Sequence, residues 1–291
     1  MIHRFTVGRL DCAVVSDGQP EPPLEPSLDS FFTSATGVPA AELRDAIAAE
    51  EPGRTTLTCG YNCLLVGTAD GPAVIDTGLG ARFLGYGPSI EPLVGRLAGG
   101  LAEAGAPAAG LAAVVFTHLH QDHARGATWS GTLTFPDAIG FAHAAEVAFW
   151  SAAAAGPPPA AAGHLEAALE AIRIFGNRLR TFEHDAEILP GLRAVNAAGH
   201  TPGHSAILLE SAGERLLCAG DSFYDRLQLR HPGWWTPWDT DAPRSVDSRL
   251  RLLNWAAEEN LLVHAYHLPF PGLGRVTRHR GAFRWHPAGA G

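Results

Sequence analysis

The chain has 291 residues, of which 46% are hydrophobic and 18% charged, so it can bury a sizeable core and does not have the composition of a disordered protein. Its net charge of −9 argues against nucleic acid as the main partner, because binding to phosphates needs clustered Lys and Arg. There is no apolar run of membrane-span length, and the first residues lack the apolar core of a signal peptide, so we expect a cytoplasmic protein without a membrane partner.

The first part of the chain predicts two short strands and then an irregular arm. Residues 4–17 alternate apolar and polar positions and give the strands, and residues 19–58 give the arm. Within the arm we expect an exposed aromatic pair, Phe31 and Phe32, and a short helix from Pro39 to about Glu50. The residues alone leave three readings of the arm open: a surface extension, a lid over a site, or a dimer contact.

A histidine-rich stretch follows the next group of predicted elements. These elements are strands at Tyr61–Val66, Ala73–Ile75 and Ala112–Phe116, with a helix over Ile90–Ala104. Directly after the third strand, His118 and His120 point to the same side if the backbone is extended, and Asp122 and His123 lie on the turn that follows. Three imidazoles and a carboxylate packed this tightly suit a borderline-soft cation such as Zn²⁺.

The second half of the chain repeats this order of strands, helix and strand. The predicted strands are Ile139–Ala142, Leu192–Asn196, Ala206–Leu209, Arg215–Ala219 and a last buried strand at Leu261–Ala265, and the predicted helices are Ala144–Trp150, His164–Phe175 and Val246–Glu259. A metal-ligand type follows an apolar strand at four further places: Asp76, His200, Asp221 and His267. His204 is expected to brace its own loop, and the remaining histidines, including His164, show no ligand pattern.

The candidate ligands are too numerous for one tetrahedral zinc ion. They suit two metal ions that share a bridging carboxylate. The set consists of His118, His120, Asp122, His123, His200, Asp221 and His267.

The ordered motifs resemble those of the metallo-β-lactamase superfamily of metallohydrolases. The matching motifs are Val74-Ile75-Asp76-Thr77-Gly78, His118-Leu119-His120-Gln121-Asp122-His123, His200-Thr201-Pro202-Gly203-His204 and Gly220-Asp221. The segment His267–Gly274 is similar to the branch that contains methyl parathion hydrolase and related lactonases and esterases. The resemblance implies an α/β (four-layer α+β) fold, the αββα sandwich, which we expect to form one domain over residues 1–291.

The same resemblance implies a role for each candidate ligand. His118, His120 and His200 would hold one metal ion, Asp122, His123 and His267 the other, and Asp221 would bridge the two. We expect two divalent ions per chain and expect Zn²⁺, although Mn²⁺, Co²⁺ or Fe²⁺ would also be accepted by these ligands. Asp76 is expected to orient a ligand histidine or the loop. Tyr224 matches a tyrosine of related homoserine-lactone hydrolases that can hydrogen-bond a substrate carbonyl; a half-buried core tyrosine is the alternative.

These expectations predict a binuclear metal-dependent hydrolase of a small-molecule substrate. A metal-bridging hydroxide would attack lactones, carboxylic esters or organophosphate triesters, and Asp122 could also carry the proton to the leaving group. A phosphodiesterase or thioesterase of the same fold is the alternative, followed by a metal-binding sensor without turnover.

Several features stay open at this level. The arm and the Trp234–Trp238 loop are places where two copies could meet, so a homodimer is compatible with the sequence. Aromatic residues could line an apolar pocket, namely Trp150, Phe223, Trp234, Trp235 and Trp238. Arg125 and Arg275 depart from the residues usual in related enzymes, and their effect on substrate choice is open. The four cysteines are expected to be reduced core residues.

Overall fold

Two mixed β-sheets, each seven-stranded in the described part of the chain, form the centre of the protein in a computed structural model. The structure describes residues 1–19, 27–33, 38–80, 94–129, 131–153 and 162–288. Residues 90–93 of the helix predicted over Ile90–Ala104 lie outside this part of the chain. The described part of that helix begins only at Leu97.

The first sheet brings the ends of two parallel strands together at the edge where the histidine stretch begins. Its strands, in spatial order, are β1 (Ile2–Val7), β2 (Leu10–Gly18), β3 (Tyr61–Thr68), β4 (Gly71–Ile75), β5 (Ala113–Val115), β8 (Ile139–His143) and β9 (Leu179–Phe182). Ile75 of β4 pairs with Val115 of the parallel strand β5. Asp76 and Thr117 therefore leave the sheet side by side.

The second sheet has its own parallel pair, which delivers two more candidate ligands. Its strands, in order, are β10 (Glu187–Leu189), β11 (Leu192–Asn196), β12 (Ser205–Ser211), β13 (Glu214–Cys218), β14 (Leu262–His264), β15 (Leu273–His279) and β16 (Ala282–Pro287). Cys218 of β13 pairs with His264 of β14, so Asp221 and His267 follow neighbouring strand ends. A short hairpin, β6 (Thr128–Trp129) with β7 (Thr132–Leu133), stands apart from both sheets.

Helices cover the outer faces of both sheets, which makes the architecture αββα, as expected from the sequence. On the first sheet these are α3 (Leu97–Ala104), α5 (Ala144–Ala153) and α6 (Ala162–Phe175), and on the second α8 (Ala242–Glu258). Between the sheets, apolar residues from both inner faces form one cluster, including Ile75 and Val115 from the first and Ile207 and Leu216 from the second. Burial of this surface drives the two sheets together.

The arm is more regular than expected, and the predicted exposure of its aromatic pair is wrong. Residues 20–26 and 34–37 of the arm lie outside the described part of the chain, and the rest contains two helices, α1 (Leu28–Thr33) and α2 (Ala40–Glu50). Phe31 and Phe32 are only 5% and 0% exposed, because they pack into an apolar cluster with Tyr224 and Trp234. Packing removes the apolar surface of both rings from water, which stabilises the folded arm.

Ion pairs fasten the arm to the same region. Arg54 donates to Asp225 at 3.1 Å, next to Tyr224, and Glu51 accepts from Arg226 at 2.7 Å and from Arg230. Arg226 directly precedes α7 (Leu227–Arg230), and Arg230 is the last residue of this helix. The arm therefore packs against the segment that contains Tyr224 and α7.

One expectation about the end of the chain is wrong. Leu262–His264 is not the last strand, because the hairpin of β15 and β16 follows it. Only three residues of β15 are buried, and polar side chains occupy its exposed positions. The sequence of this strand therefore shows no apolar run. Among the helices described, none is long and apolar enough to cross a membrane.

Candidate metal centre

The first group of candidate ligands contains three imidazoles and one carboxylate. One donor atom from each of its residues lies within 4.8 Å of the others: His118, His120, His200 and Asp221. His200 Nε2 is 2.9 Å from His120 Nδ1 and 3.3 Å from Asp221 Oδ2. His118 Nε2 is 3.7 Å from the same carboxylate oxygen. All four residues are buried.

The second group lies on the other side of Asp221. It consists of Asp122, His123 and His267, whose donor atoms also lie within 4.8 Å of one another. Asp122 and His123 belong to the short helix α4 (Gln121–Ala124), which takes the place of the predicted turn. Asp122 Oδ2 is 3.7 Å from His123 Nε2 and 3.5 Å from His267 Nε2.

The carboxylate of Asp221 joins the two groups. Its Oδ2 atom faces the first group, whereas Oδ1 lies 3.0 Å from His123 Nε2 and 3.2 Å from His267 Nε2. Each oxygen is therefore placed for a different metal ion, which is the arrangement of a bridging ligand.

Several polar atoms at the centre of this cluster have no hydrogen-bond partner among the described residues, although they are buried. They are His118 Nε2, His123 Nε2, His267 Nε2 and Asp221 Oδ1. Buried polar atoms are almost always satisfied, because leaving them unpaired is costly. Two divalent cations would satisfy all four, so these residues fit a binuclear metal centre.

Histidines of the two groups differ in the direction in which their pKa is shifted. Burial and neighbouring imidazoles hold the pKa of His118 and His120 well below its usual value, so both rings are neutral, as ligation requires. Burial would also lower the pKa of His123, but the carboxylates of Asp221 and Asp76 outweigh burial and raise it to about 10. A metal ion at the second group therefore has to displace a proton from His123.

Hydrogen bonds behind the ligands fix the orientation of three imidazole rings. Asp76 Oδ2 lies 2.8 Å from His123 Nδ1, and its carboxylate also accepts from the backbone and hydroxyl of Thr117 at 2.8 Å each. Asp76 holds this position in the left-handed region, with φ of 58°. His267 Nδ1 is 3.0 Å from the carbonyl of Gly60 and 3.0 Å from Cys59 Sγ. Such contacts turn Nε2 toward the cluster.

The third of these partners, Asp239, was missed by the sequence reasoning. Asp239 Oδ1 lies 2.9 Å from His200 Nδ1 and accepts from Ser245 Oγ at 3.0 Å, and Oδ2 accepts from Thr236 N at 2.9 Å. Asp239 follows the Trp234–Trp238 loop and not a strand. It therefore lacks the preceding apolar run that marks the other candidates in the sequence.

Replacing Asp239 with asparagine is expected to lower metal affinity at the first group and kcat/KM by about 10- to 100-fold, because His200 loses its charged acceptor. Competition with a metal chelator gives the affinity, and initial rates give kcat/KM. The matched control is Asp241→Asn, which changes an exposed carboxylate that caps helix α8 through Arg244 N. Equal metal affinities in the two variants would contradict the role of Asp239.

Tyr224 lies against both groups. Its hydroxyl donates to Asp221 Oδ2 at 2.6 Å and is 3.3 Å from His200 Nε2, and its ring stacks on His267 with centroids 4.6 Å apart. Burial, followed by the charge of Asp221, raises the pKa of Tyr224 well above its usual value. The hydroxyl therefore stays protonated and can donate a hydrogen bond.

Two further histidines support the centre without belonging to either group. His204 binds the carbonyl of Ala197 at 2.9 Å, as expected of a residue that braces its own loop, and also accepts the backbone N–H of Asp221 at 3.0 Å. His164 had no ligand pattern in the sequence, yet its ring centroid is 4.0 Å from that of His120. Its Nδ1 accepts the backbone N–H of Gln121 at 3.3 Å, a contact that only the fold creates.

The aromatic residues divide between the site and the core. Trp150 contacts His120 with ring centroids 5.6 Å apart, and Phe31 of the arm contacts Tyr224 at 5.4 Å and Trp238 at 5.1 Å. Phe223 packs instead beneath helix α8, so it does not line a pocket at the site.

The two arginines that depart from the residues usual in related enzymes lie in different environments. Arg125 is buried behind the metal loop, where it donates to the carbonyl of Gly163 at 3.3 Å. Arg275 is exposed and donates to the carbonyl of Asn260. The four cysteines are buried and free, in agreement with the sequence.

Known proteins resemble this chain in sequence and in fold. Residues 57–260 match the family described as the metallo-beta-lactamase superfamily. An N-acyl homoserine lactonase from Bacillus sp is 26% identical over 203 residues, which cover 65% of this chain and 74% of the relative.

Two solved structures extend the likeness to nearly the whole chain. AidC, a dizinc quorum-quenching lactonase in complex with a product, N-hexanoyl-L-homoserine, is 25% identical with a TM-score of 0.85, covering 99% of this chain and 97% of the other. The hydrolase AbOPH of the beta lactamase superfamily is 24% identical with a TM-score of 0.84 and the same coverage, and it supports the fold alone.

Proposed function

This chain belongs to the metallo-β-lactamase superfamily and is a metal-dependent hydrolase, and we propose that it opens the ester bond of lactones at a centre of two zinc ions. In this proposal His118, His120 and His200 hold one ion, Asp122, His123 and His267 hold the other, and Asp221 bridges them. The observation that carries the proposal is the position of Asp221, whose two carboxylate oxygens face different groups of buried histidines.

The residues of the two groups would hold two divalent cations, which would supply a coordinated water with a pKa of about 7 and a positive charge to polarise the substrate carbonyl. The chain contributes proton transfer and substrate orientation. Asp122 has the most accessible carboxylate of the two groups, since its side chain is 19% exposed whereas that of Asp221 is 1% exposed. We assign it the transfer of the proton given up by the attacking water to the leaving alkoxide, which leaves as the alcohol.

The substrate class is supported by the relatives. The curated relative is named an N-acyl homoserine lactonase, and the structure of AidC contains the product N-hexanoyl-L-homoserine. Ring contacts of Trp150 with His120 and of Phe31 with Tyr224 place aromatic side chains next to the polar centre, which would suit a substrate with an apolar part. A small-molecule lactone with an acyl chain would combine such a polar and an apolar part.

A substrate panel with the zinc-loaded protein tests this proposal. The panel contains N-acyl homoserine lactones, simple lactones, nitrophenyl esters, a paraoxon-like triester, a phosphodiester, a thioester and a β-lactam. We expect the highest kcat/KM for a lactone. A higher value for the phosphodiester or the thioester would replace the proposed substrate class, and a zinc-loaded chain without turnover would favour a binding module.

We propose that the Tyr224 hydroxyl, which donates to Asp221 Oδ2 in the structure, donates to the substrate carbonyl when a lactone is bound. Replacing Tyr224 with phenylalanine is then expected to lower kcat/KM for the best lactone by about 10- to 100-fold, because this hydrogen bond is lost. The variant keeps the ring that stacks on His267 and should still bind two metal ions per chain. Steady-state kinetics with metal analysis on the same sample makes the comparison. An unchanged kcat/KM would show that the tyrosine only packs against the centre.

We further propose that residues 1–291 act as one domain in which the arm is part of the site wall. Two contacts support this role of the arm: that of Phe31 with Tyr224 and the ion pair of Arg54 with Asp225. A cytoplasmic location and a homodimer stay predictions from the sequence.

A further inference from the structure

A buried carboxylate outside both metal-ligand groups, Glu146, accepts four hydrogen bonds. It lies in the first turn of α5 and is 0% exposed. Oε1 accepts from Leu119 N at 3.0 Å and from Trp150 Nε1 at 2.7 Å. Oε2 accepts from Thr201 Oγ1 at 2.6 Å and from Gly203 N at 3.1 Å. An ionised carboxylate has about four acceptor positions, so its capacity is fully used.

These donors lie next to the ligands of the first group. Leu119 separates His118 from His120, and Thr201 directly follows His200 in the loop that also contains Gly203. The fourth donor, Trp150, packs on the ring of His120. One carboxylate thus connects both loops that supply the three imidazoles of the first group. None of its four hydrogen bonds involves Asp122, His123 or His267 of the second group.

The close approach of the backbone supports this connection independently. A Cβ atom added at Gly203 would lie 2.4 Å from the backbone nitrogen of Glu146, a distance that side chains do not tolerate. The loop after His200 therefore rests directly on the start of α5, and its register depends on that contact.

We propose that Glu146 is a positioning residue that sets the distance between the two loops of the first group and thereby the affinity of that group for its metal ion. The inference rests on the proposed binuclear function. A glutamine at this position keeps the shape but has a single carbonyl oxygen, and its amide N–H groups would face the N–H of Gly203. The loop after His200 then loses its fixed position relative to His118 and His120.

The test compares Glu146→Gln with Glu103→Gln, which changes an exposed carboxyl on α3. Zinc affinity is measured by competition with a chelator, and thermal melting is followed on the same samples. We expect the control to bind two zinc ions like the wild type. Glu146→Gln should bind one ion with unchanged affinity and the other about 10- to 100-fold more weakly.

A second variant, Thr201→Val, removes one of the four hydrogen bonds with little change in shape and applies even where Glu146→Gln does not fold. It should weaken the same ion to a smaller extent. Unchanged affinity for both ions in these variants would overturn the inference, as would an equal loss at both groups. A wild-type chain that binds no zinc would overturn the proposed function itself, which separates the two failures.

Discussion

Replacing Asp221 with asparagine is expected to lower kcat/KM for the best lactone by about 10³-fold or more, roughly 4 kcal/mol of transition-state stabilisation. An amide has one carbonyl oxygen, so it cannot place a negatively charged oxygen toward both groups of histidines. Oδ1 at 3.0 Å from His123 and Oδ2 at 3.3 Å from His200 are both required by the proposed bridge. The affinity of both metal ions should therefore fall together, in contrast to Glu146→Gln.

Metal analysis and kinetics on the same preparation measure the effect of Asp221→Asn. Asp137→Asn, on the exposed loop before β8, is the matched control and should behave like the wild type. An Asp221→Asn enzyme that keeps two ions and full activity would remove Asp221 from the bridging position.

Removing the metal ions with a chelator is expected to abolish turnover and to lower the melting temperature by about 10 °C. The stability effect follows from linkage: an ion present at about 1,000 times its Kd contributes about 4 kcal/mol, and each kcal/mol shifts the melting temperature of a chain of this size by roughly 2–4 °C. Without the ions, His118 Nε2, His267 Nε2 and Asp221 Oδ1 stay buried and unpaired.

Calorimetry before and after chelation records the loss, and addition of Zn²⁺ to the stripped protein should restore both activity and melting temperature. Mg²⁺ serves as the control ion, since it prefers oxygen ligands and octahedral geometry over imidazoles. Chelation that leaves the melting temperature unchanged would contradict a metal centre buried within the fold.

The sequence predicts the metal-ligand candidates because each follows a strand whose apolar residues are visible as a run. Asp76 follows Gly71–Ile75 and Asp221 follows Glu214–Cys218. Parallel pairing of these strands with their neighbours then places the ligands at one edge. The conformation of the loops is not needed for either inference.

What the sequence does not predict depends on contacts between distant parts of the chain. Asp239 and Glu146 meet the site through loops and a helix start, so no strand end points to them. Phe31 and Phe32 were expected to be exposed because their burial depends on Tyr224 and Trp234, almost 200 residues away. The strand β15 lacks a continuous apolar run because exposed polar residues, among them Arg275 and Thr277, separate its buried positions.

We propose that catalysis requires two metal ions held by these residues. Metal-free protein is titrated with Zn²⁺ while the hydrolysis of N-hexanoyl-L-homoserine lactone and the bound zinc per chain are recorded together. We expect turnover to rise to its maximum only as the bound zinc approaches two ions per chain. Full activity at one ion per chain, or two bound ions without hydrolysis of the lactone, would contradict it.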